Sequence, residues 1–311
     1  MKEATISAQI VKQLKGRGFL RNKETDCFSA RVITVNGRLT VAQQRCIADA
    51  AERYGTGVVS FTSRLTVEVP GIPYDKIEDF CAAIAQEGLE TGGTGPKVRP
   101  IVSCKGTLCH FGRIDTFGLS EEIHNRFYKG YRDTVLPHKF KIAVGGCPNN
   151  CVKPDINDLG VIGQLQPKVD PEKCHGCKRC AIEMGCPIHS CHSVDGVLKL
   201  DPSTCNRCGR CVGRCPFGAV TEQARGYKIT LGGRWGKQVG RGKALNKLFT
   251  DRGEVLSIIE KAILFYREEG IKGERLAQTI ERVGFEHAEQ VLLSDEILAR
   301  KEEILSGELK G

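Results

Sequence analysis

The stretch GGCPNNCVKPDINDLGVIG (145–163) decides the fold, because it places Cys147 and Cys151 in a loop at the end of an apolar strand. The glycine pair and the Pro-Asn-Asn run favour a tight turn that exposes backbone N–H groups to a ligand. A second pair, Cys104 and Cys109, lies upstream. Four thiols in two separated pairs indicate one metal cluster. Their spacing leaves three alternatives open: a plain [4Fe-4S] cluster, a cluster coupled to a tetrapyrrole, or scattered buried thiols.

Upstream of this loop, residues 28–72 predict a small α/β unit. SARVITV is typical of a strand and is followed by the turn dipeptide Asn36-Gly37. Thr40 and Gln43 form a capping box that opens the helix TVAQQRCIADAAERYG. GVVSFTSRLTVEVPG then predicts two strands or one broken strand, and PYDKIEDFCAAIAQEGL a second amphipathic helix. This β-α-β-α order is compatible with a ferredoxin-like fold.

Downstream, the motif CNRCGRCVGRCP (205–216) has the C-x2-C-x2-C-x3-C-P spacing of bacterial ferredoxins, and CHGCKRCAIEMGCP (174–187) repeats it with a longer last gap. In such paired motifs, three thiolates of one loop and the last cysteine of the other hold each cluster. The spacing therefore predicts two clusters, with zinc as the alternative. The predicted ligand sets are Cys174, Cys177, Cys180 and Cys215, and Cys205, Cys208, Cys211 and Cys186, with Cys191 as an alternative to Cys186.

The composition predicts a cytoplasmic metalloprotein. The chain has sixteen cysteines, no apolar run of about 18 residues and no basic-then-apolar leader, so reduced thiols that bind metal are expected. The formal charge is +9. Three clusters with thiolate ligands would offset about six of these charges, at roughly −2 each. Because no basic helix with interleaved aromatic residues occurs, a nucleic-acid partner is not expected, and neither is membrane insertion.

These patterns divide the chain into three predicted units and place it in the α+β class. Residues 1–75 form the ferredoxin-like half-domain. Residues 76–168 and 222–311 form an α/β domain around the Cys147 loop, with KFKIAVGG as a buried strand and VLSIIEKAILFYREEG as a helix with an apolar stripe. Residues 169–221 form an inserted ferredoxin domain, which metal rather than an apolar core would hold together.

Several motifs resemble those of the siroheme sulfite and nitrite reductases. GGCPNNCVKPDINDLGVIG resembles the family signature of C-x3-C followed by Asp-Leu-Gly-Val, LPHKFKIAV (136–144) its basic strand, and SFTSRLTVEVPGI (60–72) its Thr-Thr-Arg-Gln segment. SARV, VRPIVSC and ITLGGRWG also have counterparts. The resemblance covers nearly the whole chain and is closest to single-module anaerobic sulfite reductase catalytic subunits and dissimilatory sulfite reductase-like proteins. It implies a siroheme coupled to one [4Fe-4S] cluster, beside the two ferredoxin-type clusters.

The resemblance also assigns roles to residues. Cys151 would bridge a cluster iron and the siroheme iron. Lys139 and Lys141 alternate on one strand and share a side, with Phe140 toward the core. The ligands of the coupled cluster would be Cys104, Cys109, Cys147 and Cys151. The catalytic residues that bind the oxyanion would be Arg31, Arg99, Lys139 and Lys141. The siroheme contacts would be Thr62, Arg64, Asn149, Asn150, Gly232, Gly233 and Arg234.

The implied reaction is the six-electron reduction of sulfite to sulfide, with electrons from an external ferredoxin or an electron-donor subunit. Nitrite is the alternative substrate. The alternative class is a non-catalytic electron-transfer protein with three clusters and no siroheme. Larger family members contain two copies of this module, and siroheme lies where the copies meet. A chain with one copy is therefore expected to form a homodimer or a higher homo-oligomer.

Overall fold

The first unit of the computed structural model, which describes residues 6–311, is a four-stranded antiparallel sheet with three helices. Its elements are α1 (Ala8–Gly16), β1 (Phe19–Arg21), β2 (Cys27–Val32), α2 (Val41–Tyr54), β3 (Ser60–Phe61), β4 (Val67–Pro73) and α3 (Ile77–Ala85). The strand order is β1-β2-β4-β3. The segment predicted as two strands or one broken strand is therefore two strands, whereas α1 and β1 were not predicted.

Helices α2 and α3 share one apolar core with this sheet. Ile47 of α2 and Phe80 of α3 are both almost fully buried. The predicted capping box begins α2: the Thr40 hydroxyl accepts from the Gln43 N–H (3.1 Å), and the Gln43 side chain accepts from the Thr40 N–H (3.0 Å). Because this core continues through α3 to Leu89, the first unit extends beyond residue 75, the boundary expected from the sequence.

The second unit is a five-stranded mixed sheet that shares its core with C-terminal helices. The remaining elements of the chain are β5 (Val102–Ser103), α4 (Thr116–Ile123), β6 (Ile142–Gly145), β7 (Leu159–Val169), α5 (Ala181–Gly185), β8 (Cys191–Val194), β9 (Val197–Leu200), β10 (Val220–Leu231), β11 (Lys243–Ala244), α6 (Arg252–Glu269), α7 (Leu276–Val283), α8 (Phe285–Leu293), α9 (Glu296–Ala299) and α10 (Lys301–Ser306). The strand order is β11-β10-β7-β6-β5, with β5, β6 and β7 parallel and the other pairs antiparallel. Phe265 and Tyr266 of α6 lie in its core. No helix within residues 6–311 is long and apolar enough to cross a bilayer.

The cysteine-rich segment, residues 170–219, connects the ends of β7 and β10, which pair antiparallel along their length. It contains α5 and the hairpin of β8 and β9. Its apolar core consists of Ile182, Cys191 and Leu198 together with Val220 at the start of β10. Four buried residues are too few to stabilise roughly fifty residues by apolar burial alone, so the segment depends on another source of stability.

Lys139 and Lys141 lie just before β6, which begins at residue 142 and not at 139 as the sequence predicts. Phe140 between them forms an isolated bridge with Val98, and its carbonyl accepts from the Arg99 N–H (2.8 Å). Phe140 is fully buried, as expected. The lysines therefore flank a buried side chain on a short extended segment instead of a continuous strand.

Candidate functional site

Parallel strands bring the two cysteine pairs to one edge of the second sheet. β5 ends directly before Cys104, and β6 ends two residues before Cys147. The Gly146 N–H donates to the Cys104 sulfur (3.1 Å). Burial raises the pKa of the Cys147 thiol, and the nearby sulfur atoms of Cys104, Cys151 and Cys109 raise it further. The other three thiols of the predicted ligand set therefore lie near Cys147.

The donor set at this edge suits an iron–sulfur cluster. Among residues 6–311, no three His, Cys, Asp or Glu side chains converge closely enough to hold a single metal ion. A four-iron cluster instead takes one soft thiolate ligand for each iron. In the same loop, Asn150 has a positive φ of 54°, and its side-chain oxygen is buried without a hydrogen-bond partner among the described residues. Asn149 and Cys151 are exposed, so this loop presents free polar groups and a thiol to a ligand.

A group of basic side chains surrounds one buried carboxylate at the other end of β6. Asp158 is fully buried and accepts from an Arg275 guanidinium nitrogen (2.8 Å to both oxygens) and from the Lys141 N–H (2.9 Å). Burial raises the pKa of Asp158, while these two donors favour its ionised form. We call this group the cation cluster; its members are Arg31, Arg64, Arg99, Lys139, Lys141 and Arg275.

Desolvation destabilises the charge of these cations. Burial, with a smaller contribution from the other cations nearby, lowers the pKa of Arg64 and of Arg99 to about 10. Burial also lowers the pKa of Lys139, and it lowers that of Lys141 to about 8, with Arg64 and Arg275 contributing to the latter. Within the cluster, Arg275 is paired with Asp158 and Arg31 with Glu68, so cations outnumber carboxylates and an anion would stabilise it.

Four guanidinium Nε atoms of this cluster are buried and have no hydrogen-bond partner among the described residues. They belong to Arg31, Arg64, Arg99 and Arg275. Buried donors without partners are rare in folded proteins, and water, an ion or a ligand can supply the missing acceptor; Arg252 and Arg267, outside the cluster, also have such Nε atoms. An anionic, carboxylate-bearing cofactor or an oxyanion supplies the acceptors that these atoms lack. The residues present therefore fit such a group.

Arg31 and Arg99 are only partly engaged by the protein. One nitrogen of Arg31 pairs with Glu68 (2.9 Å), and the two side chains of this pair retain about a quarter of their exposure (22% and 26%). One nitrogen of Arg99 donates to the Gly93 carbonyl (2.5 Å). Each guanidinium keeps further donors for a ligand.

Arg64 is held rigidly by a local turn. The Thr62 hydroxyl accepts from the backbone N–H groups of Arg64 (3.3 Å) and Thr66 (3.2 Å), so Thr62 shapes the turn that presents Arg64. The Arg64 guanidinium donates to the Asn157 side chain (3.0 Å) and the Pro100 carbonyl (2.7 Å). Its position is set before any ligand binds, which reduces the entropic cost of binding.

The predicted glycine loop lies against the same region. A Cβ atom at Gly233 would come within 2.4 Å of the Asn157 carbonyl, so only glycine permits this approach. Gly232 has a φ of +81°, which also favours glycine. Arg234 forms an ion pair with Glu281 of α7 (3.0 Å). The loop is thus near Arg64 through Asn157, but the Arg234 guanidinium is already paired within the chain.

Arg275 is absent from the sequence-based predictions because it lies 117 residues after Asp158. At the start of α7 its backbone N–H donates to the Gln278 side chain (2.9 Å), and this local contact indicates only that a helix begins there. The available indication was Asp158 itself: an acidic residue that opens the apolar strand LGVIG requires a cationic partner. The sequence does not indicate which cation that is.

In the cysteine-rich segment, Cys186 and Cys191 differ chemically. Burial raises the pKa of Cys186, but the backbone N–H groups of Ile188 and Ser190 outweigh it and leave the pKa lowered. Burial raises the pKa of Cys191, which is 3% exposed. The Cys186 sulfur accepts the Ser190 N–H (3.4 Å), whereas Cys191 is enclosed in the apolar core of the segment. Both line a small cavity of about 20 Å³ with three further thiols, those of Cys205, Cys208 and Cys211.

All sixteen cysteines are free, and the other predicted set lies nearer the solvent. The Leu198 N–H donates to the Cys174 sulfur (3.3 Å), and together with the Gly176 N–H it lowers the pKa of this thiol. Cys177 is exposed. Fold and site together define a mixed α/β protein with a thiol-lined edge for a metal cluster and a cation-lined site for an anion.

Family models match most of the chain. Residues 94–299 match the nitrite and sulphite reductase 4Fe-4S domain, and residues 21–87 match the nitrite/sulfite reductase ferredoxin-like half domain. The chain therefore belongs to the nitrite and sulphite reductase family. Membership confirms the expected α+β fold with a half-domain and a cluster domain, and it implies siroheme and a [4Fe-4S] cluster.

Three relatives illustrate this membership. Coenzyme F420-dependent sulfite reductase of Methanocaldococcus jannaschii is 36% identical over 242 residues, which are 77% of this chain and 38% of that protein. An anaerobic sulfite reductase subunit of Salmonella typhimurium is 31% identical over 157 residues, 46% of this chain and 43% of that protein. The chain thus matches about two fifths of the length of these curated relatives. The crystal structure of dissimilatory sulfite reductase I aligns with a TM-score of 0.69 and 25% identity, covering 86% of this chain and 69% of that chain.

Proposed function

We propose that this chain is the catalytic module of a siroheme-dependent sulfite reductase, which reduces sulfite to sulfide with six electrons. The observation that carries the proposal is the cation cluster with its four unpaired, buried guanidinium Nε atoms. Desolvated cations with free donors bind anions strongly because charge-assisted hydrogen bonds replace the lost hydration. The names of the two curated relatives indicate which anion, since both are sulfite reductases or parts of one.

In this proposal the cation cluster binds the oxygen atoms of sulfite. Arg31 and Arg99 bind the negatively charged oxygen atoms of sulfite, because a guanidinium stays protonated and positively charged throughout the reaction. The ammonium groups of Lys139 and Lys141 also bind the anion, and each can release a proton from Nζ. The pKa of Lys141, lowered to about 8, suits proton donation close to neutral pH. When bound, siroheme coupled to the cluster supplies the electrons and the iron that binds the substrate.

Siroheme would be held by cations and by polar groups of the Cys147 loop. Arg64 is preorganised by Thr62 and has an unpaired Nε among the described residues, so it suits a carboxylate of the macrocycle. Asn149 and Asn150 would contribute polar contacts from the loop, and Cys151, which is exposed, would contribute a thiolate ligand. The neighbouring loop would contribute Gly232, Gly233 and Arg234, with Arg234 leaving Glu281 or binding with its remaining donors.

We assign three clusters to the chain. The first takes Cys104, Cys109, Cys147 and Cys151, and the ferredoxin motifs of residues 169–221 hold the other two. One of these takes Cys174, Cys177, Cys180 and Cys215, and the other Cys205, Cys208, Cys211 and Cys186. The lowered pKa of Cys186 favours it over Cys191 as ligand. An external ferredoxin or electron-donor subunit would reduce the motifs, in the cytoplasm, where free thiols persist.

We further propose that the active enzyme is a homodimer in which the two subunits share each site. Lys141 and Cys147 lie at opposite ends of β6, so their backbones are on the order of 15 Å apart along the sheet. Substrate held by the cation cluster is therefore distant from the thiols of the same chain. A second copy, related by a two-fold axis, would bring its own cation cluster to this thiol-lined edge.

Mixed dimers test the shared site. A Cys151→Ala subunit and a Lys141→Ala subunit, with different tags, are co-expressed and the heterodimer is isolated. Shared sites place both defects in one site and leave the other intact, so about half of the activity returns. Self-contained subunits would give an inactive heterodimer, and this result would overturn the shared arrangement.

The function itself is tested on protein purified without oxygen. Iron, acid-labile sulfide and extractable siroheme are measured, followed by steady-state turnover of sulfite and of nitrite with a reduced viologen dye. We expect siroheme, three clusters and a higher kcat/KM for sulfite. Preference for nitrite would reassign the substrate, and three clusters without siroheme or turnover would make the chain an electron-transfer protein.

A further inference from the structure

A single side chain connects the cysteine-rich segment to the thiol-lined edge. The backbone N–H of Arg113 donates to the carbonyl of Gly146, the residue before Cys147 (2.8 Å). The Nε–H of the same residue donates to the carbonyl of Cys208 (2.9 Å). Arg113 is half-buried between these two loops. It is therefore hydrogen-bonded at one end to the Cys147 loop and at the other to the Cys208 loop.

Strand β7 also contacts both the Cys208 loop and the Cys147 loop. The Leu165 N–H donates to the Arg207 carbonyl (2.8 Å), and Leu165 pairs with Cys208 in an isolated parallel bridge. Two residues earlier on the same face, a Cβ atom at Gly163 would come within 2.5 Å of the Gly146 carbonyl. The close approach of the strand to the Cys147 loop requires glycine at this position. One short stretch of β7 thus contacts both cysteine loops.

The other ferredoxin-type ligand set is placed differently. Cys177, in the middle of its loop, is exposed, whereas Cys208 is partly buried. The residue after Cys208, Gly209, has a φ of +67°, and a Cβ atom there would come within 2.8 Å of the Leu165 side chain. The Cys208 loop is therefore the one that is pressed against the second unit.

From these contacts we propose that Arg113 is a positioning residue for electron transfer, on the basis of the three clusters of the proposed function. It holds the cluster of Cys205, Cys208, Cys211 and Cys186 as the immediate donor to the cluster of the Cys147 loop. In this step one electron leaves the Cys208-loop cluster, which is oxidised, and enters the Cys147-loop cluster, which is reduced. No bond and no proton changes place. The cluster of Cys174, Cys177, Cys180 and Cys215 then receives electrons first, from a one-electron iron–sulfur donor or a reduced viologen.

The experiment measures internal electron transfer, without sulfite, in the holoenzyme and in its Arg113→Ala and Arg113→Lys variants. Flash photoreduction gives the rate at which the Cys147-loop cluster is reduced, and electron paramagnetic resonance gives the spin–spin interaction of the two reduced clusters. Loss of one hydrogen bond from a charged donor lowers the equilibrium constant for the docked arrangement about tenfold, so Arg113→Ala should transfer more slowly, by up to about tenfold. Arg113→Lys should recover part of the rate, because its ammonium group can reach the same carbonyl.

Arg17→Ala is the matched control, because Arg17 is also a partly exposed arginine that joins two segments, through its ion pair with Glu78 (2.6 Å), and it lies far in the chain from every proposed cluster ligand. It should leave the transfer rate and the spin–spin interaction unchanged. An Arg113→Ala protein with three clusters, the wild-type transfer rate and unchanged spin–spin interaction would overturn the role of Arg113. A wild-type protein with fewer than three clusters would instead contradict the proposed function, so the two failures are distinguishable.

Discussion

The second sheet unit and the cysteine-rich segment adjoin each other but are stabilised in opposite ways. The sheet unit buries a continuous apolar core that includes Phe140, Phe249 and Tyr266. The segment has a core of four buried residues, and most of the partly buried side chains packed against it are cysteines. Apolar burial is sufficient for the first region, whereas we propose that the second is held together by metal ligation. The two regions are therefore expected to unfold under different conditions, because different interactions stabilise them.

Removal of iron should produce the largest difference in stability between the two regions. Structural metal sites contribute on the order of 10 kcal/mol to folding, so a chelator under reducing conditions should unfold residues 170–219. Amides of β7 near the segment should lose part of their protection, whereas those of α6 should keep it. Hydrogen exchange followed by mass spectrometry measures both regions in one sample. Full protection of the segment without iron would contradict its dependence on metal.

Substitution of the buried Asp158 in the sheet unit should cause the next largest loss of stability. Asp158→Asn removes the buried carboxylate from the cation cluster and leaves Arg275 without its partner. Breaking a buried ion pair on one side costs about 3–5 kcal/mol, measured as a lower free energy of unfolding in urea. Glu78→Gln is the control: it removes an exposed pair with Arg17, worth about 0–1 kcal/mol. Equal losses for the two variants would show that burial of Asp158 is unimportant.

Substitution of the oxyanion-binding residues should separate chemistry from stability. Arg31→Ala and Lys139→Ala should each lower sulfite turnover about 10²–10³-fold, the usual loss of one preorganised electrostatic contact, without changing cluster content. Lys199→Ala, an exposed lysine on β9 in the cysteine-rich segment, should leave turnover unchanged. Unchanged sulfite turnover in both Arg31→Ala and Lys139→Ala would remove these residues from the mechanism.

The pH dependence should show the smallest effect. Burial, Arg64 and Arg275 lower the pKa of Lys141 to about 8, so its cationic form predominates below this pH and is lost as the pH rises further. We expect kcat/KM for sulfite to fall above about pH 8, by roughly tenfold per pH unit. Lys141→Arg should remove this decline, because arginine stays protonated, and the same variant corrects for ionisation of the substrate. A decline that is identical in both proteins would exclude Lys141 as its origin.

The grouping of the cysteines into motifs could be read from the sequence because the members of each motif are close together in the chain. The C-x2-C-x2-C spacing, the Cys147 loop and the capping box of Thr40 each depend on residues within one or two turns. The sequence favours Cys186 over Cys191 as ligand by spacing alone, whereas their different surroundings, with backbone N–H groups at one sulfur and apolar burial of the other, depend on the fold. These differences arise only when the segment folds around both loops.

By itself, the sequence determined the local elements: the ferredoxin-type spacings, the paired cysteines, the helix start at Thr40 and the apolar strand before Cys147. Tertiary structure alone decided how distant residues meet: Arg275 with Asp158, the cation cluster drawn from separate segments, and Arg113 between the two cysteine loops. The physical reason is the range of the interactions. Ligand spacing and capping act over a few residues, whereas ion pairs and desolvation depend on packing, which joins residues about a hundred positions apart.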